Sequence, residues 1–372
     1  MKVRFAFYVR LTVVMLGLIL LVTIMREAKS ILVPLLVSGL LAILISPFTS
    51  LLEKWRFPRA LAVMISVISL LVIITALAYF FYNQILRFSG DLSLLEARVS
   101  FYLDELNFFL EEHLEGAVPV SADSIQNSVF QYLYENAGNL TQGVIATASS
   151  LTMVFIMPVY IFLFLYFRRF LAEFILMLFE EKDKIKVRNV LFKVKQVVKN
   201  YIAGMFVVIL ILAVLNSIAL LSLGIKHAFL FAGFAALLNV IPFLGPFIGA
   251  ILPILYAFLT KDSLWYTFGV FMAFYVIQLF ESNLFTPKIV GGKVSMNPLM
   301  TIIALFIGNF IWGLAGMILF IPGMAILKVI FDEVEGMEAY GFLLGDTKSA
   351  EKKADRRSLK EKITKVRGRF RL

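Results

Sequence analysis

Three polar side chains stand at the end of an apolar run where polar groups are expensive. Gln278, Glu281 and Asn283 follow the stretch Val270–Phe280. A carboxylate at the centre of a membrane helix costs about 2.5–3.5 kcal/mol on insertion scales. Glu281 is therefore expected to sit near an interface, to pair with Lys288 or Lys293, or to line a cavity. Gln278 and Glu281 share a helix face; Asn283 does not. Oxygen ligands from Glu281, Asn239 and Asn283, with carbonyls of unwound backbone, would suit a hard monovalent cation. Burial would also raise the carboxyl pKa and make proton exchange chemically reasonable.

The backbone that could supply such carbonyls lies in two unusual segments. Residues 228–260 contain Pro242, Gly245, Pro246, Gly249 and Pro253. Residues 299–330 contain Gly308, Gly313, Gly316, Pro322 and Gly323. Each is too long for one untilted span and too short for two. Proline removes a backbone donor and clashes with the preceding turn. In lipid the freed carbonyls need protein or a water-filled cavity around them, which is where transporters hold substrate. Each segment carries one asparagine near its middle, Asn239 and Asn309, and each follows a full span. The order span, broken hairpin, span, broken hairpin predicts an inverted repeat of re-entrant hairpins. Eight tilted or kinked spans are the alternative. Gly245 and Gly249 are also a small-xxx-small pair that permits close helix approach.

These segments require a membrane around them. The chain is 60% hydrophobic and 16% charged, well beyond the balance of a soluble domain. The excess must face lipid. Full spans are read at Phe7–Met25, Ile31–Phe48, Ala60–Tyr82, Thr141–Phe167, Tyr201–Ser222 and Leu264–Leu284, each near the ~20 residues that cross the hydrocarbon. The expected fold class is thus an all-α polytopic membrane protein with about eight hydrophobic segments: six full spans plus the two hairpins.

Charge sets the orientation. Residues 83–140 hold two basic residues against nine acidic ones. Residues 168–200 hold nine basic against four acidic, and residues 348–372 eleven against three. By the positive-inside rule the acidic loop is outside and both termini are cytoplasmic. The net charge of +10 comes from basic residues clustered beside hydrophobic spans, so nucleic acid is not an expected partner. The expected parts are N-terminal scaffold spans (1–82), an acidic extracytoplasmic helical segment (83–140), a span with a basic amphipathic helix (141–200), a transport region (201–330) and a basic tail (331–372). In the outer segment Leu92, Leu95, Val99, Tyr102, Leu106 and Phe109 share a helix face, to be packed on a neighbouring helix or in a coiled coil between subunits. Val187, Val190, Val194, Val197 and Tyr201 share another, suited to a helix in the headgroup layer. Tyr160, Tyr166, Trp265 and Trp312 are expected to anchor or pack.

The chain lacks cysteine and holds two separated histidines, His113 and His227. A thiolate metal site, a zinc site and a nucleophile–histidine pair are therefore not expected. No Walker lysine loop, GxGxxG or HExxH is present, so no nucleotide or other cofactor and no enzymatic reaction is expected; transport would be passive, ion-coupled or partner-driven.

Several stretches resemble one family. Leu223-Gly224, then Phe231-Ala-Gly-Phe-Ala-Ala-Leu-Leu-Asn-Val-Ile-Pro-Phe-Leu-Gly-Pro-Phe-Ile-Gly-Ala-Ile-Leu-Pro253, is similar to the hallmark of the autoinducer-2 exporter (AI-2E) family of permeases. Lys199-Asn-Tyr-Ile-Ala-Gly204 and Glu281-Ser-Asn-Leu-Phe-Thr-Pro-Lys-Ile-Val-Gly-Gly-Lys293, followed by Asn297-Pro298, resemble further motifs. The resemblance implies a bacterial inner-membrane permease and a homo-oligomer. It implies one of two roles: export of autoinducer-2, or exchange of sodium or lithium for protons. Asn239 stands where many members carry an acid, and Asn297 where they carry histidine. Asn239, Pro242, Gly245, Pro246, Gly249, Gln278, Glu281, Asn283, Pro287 and Asn309 are the expected substrate- or ion-binding residues. The competing function is a membrane scaffold or assembly protein acting through residues 83–140.

Overall fold

The computed structural model describes residues 6–113, 155–290 and 296–345. Residues 114–140 of the acidic segment, the first part of the span read at Thr141–Phe167, Lys293 and the tail from 346 onward lie outside the described residues. The described chain is helical throughout. It runs α1 (Phe7–Glu27), α2 (Lys29–Lys54), α3 (Arg59–Ser89), α4 (Leu92–His113), α5 (Met157–Tyr166), α6 (Arg168–Met177), α7 (Lys184–Ser222), α8 (Ala228–Leu238), α9 (Leu244–Thr260), α10 (Leu264–Phe280), a π-turn (Glu281–Phe285), α11 (Thr286–Ile289), α12 (Pro298–Trp312), α13 (Leu314–Glu333) and α14 (Glu338–Leu344). Among the described residues α1, α2, α3, α7, α10 with its π-turn extension, and α13 are long and apolar enough to cross a bilayer.

The contacts divide into two compact units, 1–63 with 159–203 and 290–372, and 64–158 with 204–289. In the second unit, α8 and α9 form a helical hairpin. Its mouth is closed by Lys261, whose Nζ donates to the Gly224 carbonyl at 2.8 Å. The hairpin packs on α10 and α4 around Leu220, Phe231, Ala232, Ala235, Ala257, Val270 and Phe274. Helix α4 therefore packs on its own chain: Leu95 is buried in this core, with Val99 and Tyr102 against it. Phe109 stays exposed and stacks on His113.

In the first unit, α12 and α13 form the other hairpin. Asn297 caps α12, its side chain accepting from Leu299 N at 3.0 Å with Pro298 in the first turn, the arrangement that best satisfies a helix start. The Asn297 amide also donates to Leu344 O at 3.0 Å, joining the start of α12 to the end of α14. At its tip, Trp312 Nε1 donates to Met25 O at 2.7 Å, and the Arg26 guanidinium lies 5.1 Å from the Phe310 ring centroid. The tip thus stands beside the C-terminal end of α1, whose 21 residues rise about 31 Å.

One sequence expectation changes. The Val187–Tyr201 face is not a separate helix lying in the headgroup layer. It is the start of α7, an unbroken helix of 39 residues and about 58 Å. With no Gly or Pro before the apolar stretch, helix propagation costs less than a break. Val197, Val198 and Tyr201 are buried, while Lys186 and Lys193 pair with Glu335 and Glu333 beyond the end of α13 and at its last residue.

Candidate functional site

Each hairpin depends on glycine at its tightest approach. A Cβ on Gly245 would stand 1.9 Å from Leu238 O, and one on Gly249 would be 2.7 Å from Ala235 Cα. In the second hairpin a Cβ on Gly316 would lie 1.9 Å from Gly308 O, and one on Gly308 would lie 2.5 Å from Gly316 O. No side chain of any size fits there. Gly245 and Gly249 are thus occupied by helix packing. The turn of the second hairpin uses Gly313 at φ 63°, where glycine is at ease. The first turn has no such glycine. Phe243 sits at φ 67°, ψ −49°, and the Leu244 amide donates to Pro242 O at 2.8 Å. This is a γ-turn with a bulky residue at its centre, a rare and strained conformation. Pro242 fixes the preceding φ, and Pro246 lies in the first turn of α9, where its missing donor is not needed.

Asn239 caps α8 at the same tip and is partly buried. Residues 261–263 connect the packed helices α9 and α10, each of 17 residues. Each rises about 25 Å along its own axis. The strained tip and Glu281 therefore each stand one such helix away from the same connection.

At Glu281 the helix widens into the π-turn, a distortion that recurs at functional sites. Glu281 is buried, 8% exposed. Gln278 Nε2 donates to its Oε2 at 2.7 Å, and Thr286 Oγ1 donates to its Oε1. Among the described residues the carboxylate has these neutral donors and no ion pair with Lys288. Each oxygen has one donor, while a carboxylate accepts about four bonds, so capacity remains for a proton or a cation. Asn283 turns back along the helix, donating to Leu279 O at 2.8 Å, and is exposed, as is Pro287. Asn309 is exposed on α12 in the other unit. Thr286 was not among the sequence candidates; only its placement one widened turn beyond Glu281 reveals it.

A second polar cluster was also missed. At the mouth of the α8–α9 hairpin, Asp91 accepts from Lys226 Nζ at 2.7 Å and pairs with His227 Nε2 at 2.9 Å. His227 is 5% exposed and lies edge-on to Phe88 and Tyr256. The hydrogen bond from Lys226, helped by His227, holds the Asp91 carboxyl below the usual carboxylate range against the opposing effect of burial. The cluster ties the α3–α4 connection to the start of α8. The sequence signal was the Lys226-His227 pair immediately before an apolar helix.

Membrane-length helices, two glycine-seated hairpins and a buried carboxylate beyond the end of an apolar helix are the features of a multi-pass helical membrane transporter. The chain belongs to the AI-2E transporter family, whose pattern matches residues 11–336. Among curated proteins it is 22% identical over 338 residues to the AI-2 transport protein TqsA of Escherichia coli, covering 90% of this chain and 95% of that one. It is 25% identical over 316 residues to YueF of Bacillus subtilis, covering 80% and 82%. A shorter match of 131 residues to YrrI of B. subtilis reaches 35% identity, over 35% of this chain and 36% of that protein.

Proposed function

We propose that this protein is a secondary transporter of the inner membrane that moves a small hydrophilic solute or exchanges a monovalent cation for protons, with Glu281 as the coupling carboxylate. The observation that supports this reading is buried Glu281, held by neutral donors, in the same compact unit as the strained Asn239–Leu244 tip. Two neutral donors orient the carboxylate without neutralising it, so a proton or a cation is the group that completes it. The unwound backbone at the tip offers carbonyl oxygens, and the α9 N-terminus offers a positive dipole end. The α8–α9 arms, at 11 and 17 residues, are too short to cross and return, which supports a re-entrant hairpin entering from outside. The α12–α13 hairpin enters from inside by the charge pattern and completes the inverted repeat. The similarity to a named AI-2 transport protein makes autoinducer-2 the first organic solute to examine.

The test is proton flux in proteoliposomes, read by an internal pH dye after addition of sodium, lithium or potassium. A cation-dependent pH change in wild type that Glu281→Gln abolishes is the expected result for exchange. No pH change with any cation in a demonstrably reconstituted protein rules out cation–proton exchange and selects the solute arm, with autoinducer-2 efflux measured next. An unchanged response in Glu281→Gln removes that residue from the mechanism.

A further inference from the structure

A basic cluster at the foot of α5 has no role in the transport site. All of its residues lie in the first compact unit. Arg168, the first residue of α6, binds Glu53 through one guanidinium nitrogen. Its Nη1 is shielded from water and has no hydrogen-bond partner. Arg59 stacks its guanidinium 5.3 Å from the Tyr166 ring centroid, and its Nε and Nη2 are likewise shielded and unbonded. Lys195 of α7 stands close enough to Arg168 and Lys199 to be influenced by both charges. Arg59 and Arg168 thus keep unbonded guanidinium donors, Lys195 adds a further cation beside Arg168, and Glu53 Oε1 is shielded and unbonded as well. A guanidinium is built to bind carboxylate or phosphate through paired donors. Glu53 engages Arg168 through one carboxylate oxygen only, and the Arg59 guanidinium lies against a ring face.

The helix that starts at this cluster supplies the second observation. None of the ten residues of α6 is buried. Phe170, Phe174 and Met177 are 63%, 52% and 77% exposed, and their four- and three-residue spacing puts them on one face. Ala172 lies on the opposite face. Only Phe167 separates α6 from α5, an apolar helix that ends at Tyr166. Such a helix beside the end of a span suits the boundary between headgroups and acyl chains.

We propose that α6 and the cluster at its head form a docking site for an anionic phospholipid. The lipid phosphate is bound by Arg59, Arg168, Lys195 and Lys199, and Phe170, Phe174 and Met177 enter the acyl boundary. Continuity with α5 selects lipid over a soluble partner, and the surplus of positive charge selects an anionic headgroup. The site lies on the surface where basic residues accumulate, the cytoplasmic leaflet by the positive-inside rule. The in-plane role that sequence periodicity gave to the start of α7 thus passes to α6.

The chain has no cysteine, so single labels are unambiguous. Nitroxides at Phe170→Cys, Phe174→Cys and Ala172→Cys are compared in vesicles of phosphatidylglycerol and phosphatidylcholine. High oxygen and low nickel-chelate accessibility at 170 and 174, with the reverse at 172, is expected. Equal nickel accessibility at all three positions overturns the proposal. So does shielding of 170 and 174 from both reagents, which would mark a protein contact. Retention of phosphatidylglycerol, read by native mass spectrometry, should fall roughly tenfold in the double variant Arg59→Gln, Lys195→Gln. The charge-retaining variant Arg59→Lys, Lys195→Arg should hold most of it. Unchanged retention in the neutral variant, or displacement of the lipid by millimolar inorganic phosphate, overturns the lipid assignment.

Discussion

Gln278 Nε2 reaches Glu281 Oε2 at 2.7 Å, one turn along the same helix. The bond forms where the regular helix gives way to a π-turn, which brings Thr286 to the other carboxylate oxygen. The carboxylate is thereby fixed by neutral groups from its own segment. Gln278→Ala and Thr286→Val should each slow transport without abolishing it, because each leaves the carboxylate with one donor. Each lost bond to a charged acceptor is worth about 1.5–3 kcal/mol. Initial flux in proteoliposomes checks this; rates equal to wild type would exclude a role for these donors.

The glycine contacts predict sharp steric intolerance. Gly245→Val and Gly316→Val place atoms inside backbone van der Waals radii and should destabilise by about 1–3 kcal/mol or more. Gly323 has open space around its Cβ position, so Gly323→Ala should be close to neutral or slightly stabilising in a helix interior. Midpoints of thermal unfolding in one detergent would separate the two groups. Equal midpoints would contradict the tight hairpin seats.

Phe243 carries strain that glycine would relieve. Phe243→Gly should stabilise by up to about 1 kcal/mol after the entropy cost of glycine is deducted. It should also slow transport by loosening the tip. A variant that unfolds earlier and transports at the wild-type rate would show that the γ-turn holds no functional strain.

The Asp91 cluster predicts an unequal response to its two partners. Lys226 is 68% exposed, so Lys226→Ala should cost under about 1 kcal/mol. His227 is buried, and Asp91→Ala strands it, which should cost about 1–3 kcal/mol. The Asp91 carboxyl is held low by Lys226 first and then His227. Its contribution is therefore fully present above the unfolded-state value near ~3.9. It is lost as pH falls through the lower folded-state value. The stability gap between wild type and Asp91→Asn should stay constant from neutral pH down to about 5 and close below about 3. Thermal unfolding across that range measures it; a gap that closes near neutral pH would contradict the assignment.

Much of this protein was legible from composition and spacing. Apolar runs of membrane length fix the spans because the hydrocarbon layer admits few alternatives. Glycine and proline marked both hairpins because they change backbone geometry locally, without help from distant residues. Glu281 stood out because a lone carboxylate beside an apolar run is costly wherever the chain goes. Other features depended on what packs against what. The sequence could not exclude a Lys288 partner for Glu281, since the π-turn that brings in Thr286 is a shift of one residue in hydrogen bonding. It could not show His227 as buried, because burial there requires Asp91, Phe88 and Tyr256 to converge from three separate elements. Nor could it distinguish an in-plane helix from the start of a long one, since an amphipathic face looks the same in both. Local chemistry and hydropathy set the elements and their breaks; long-range contacts decided which polar groups were buried, and with which partners.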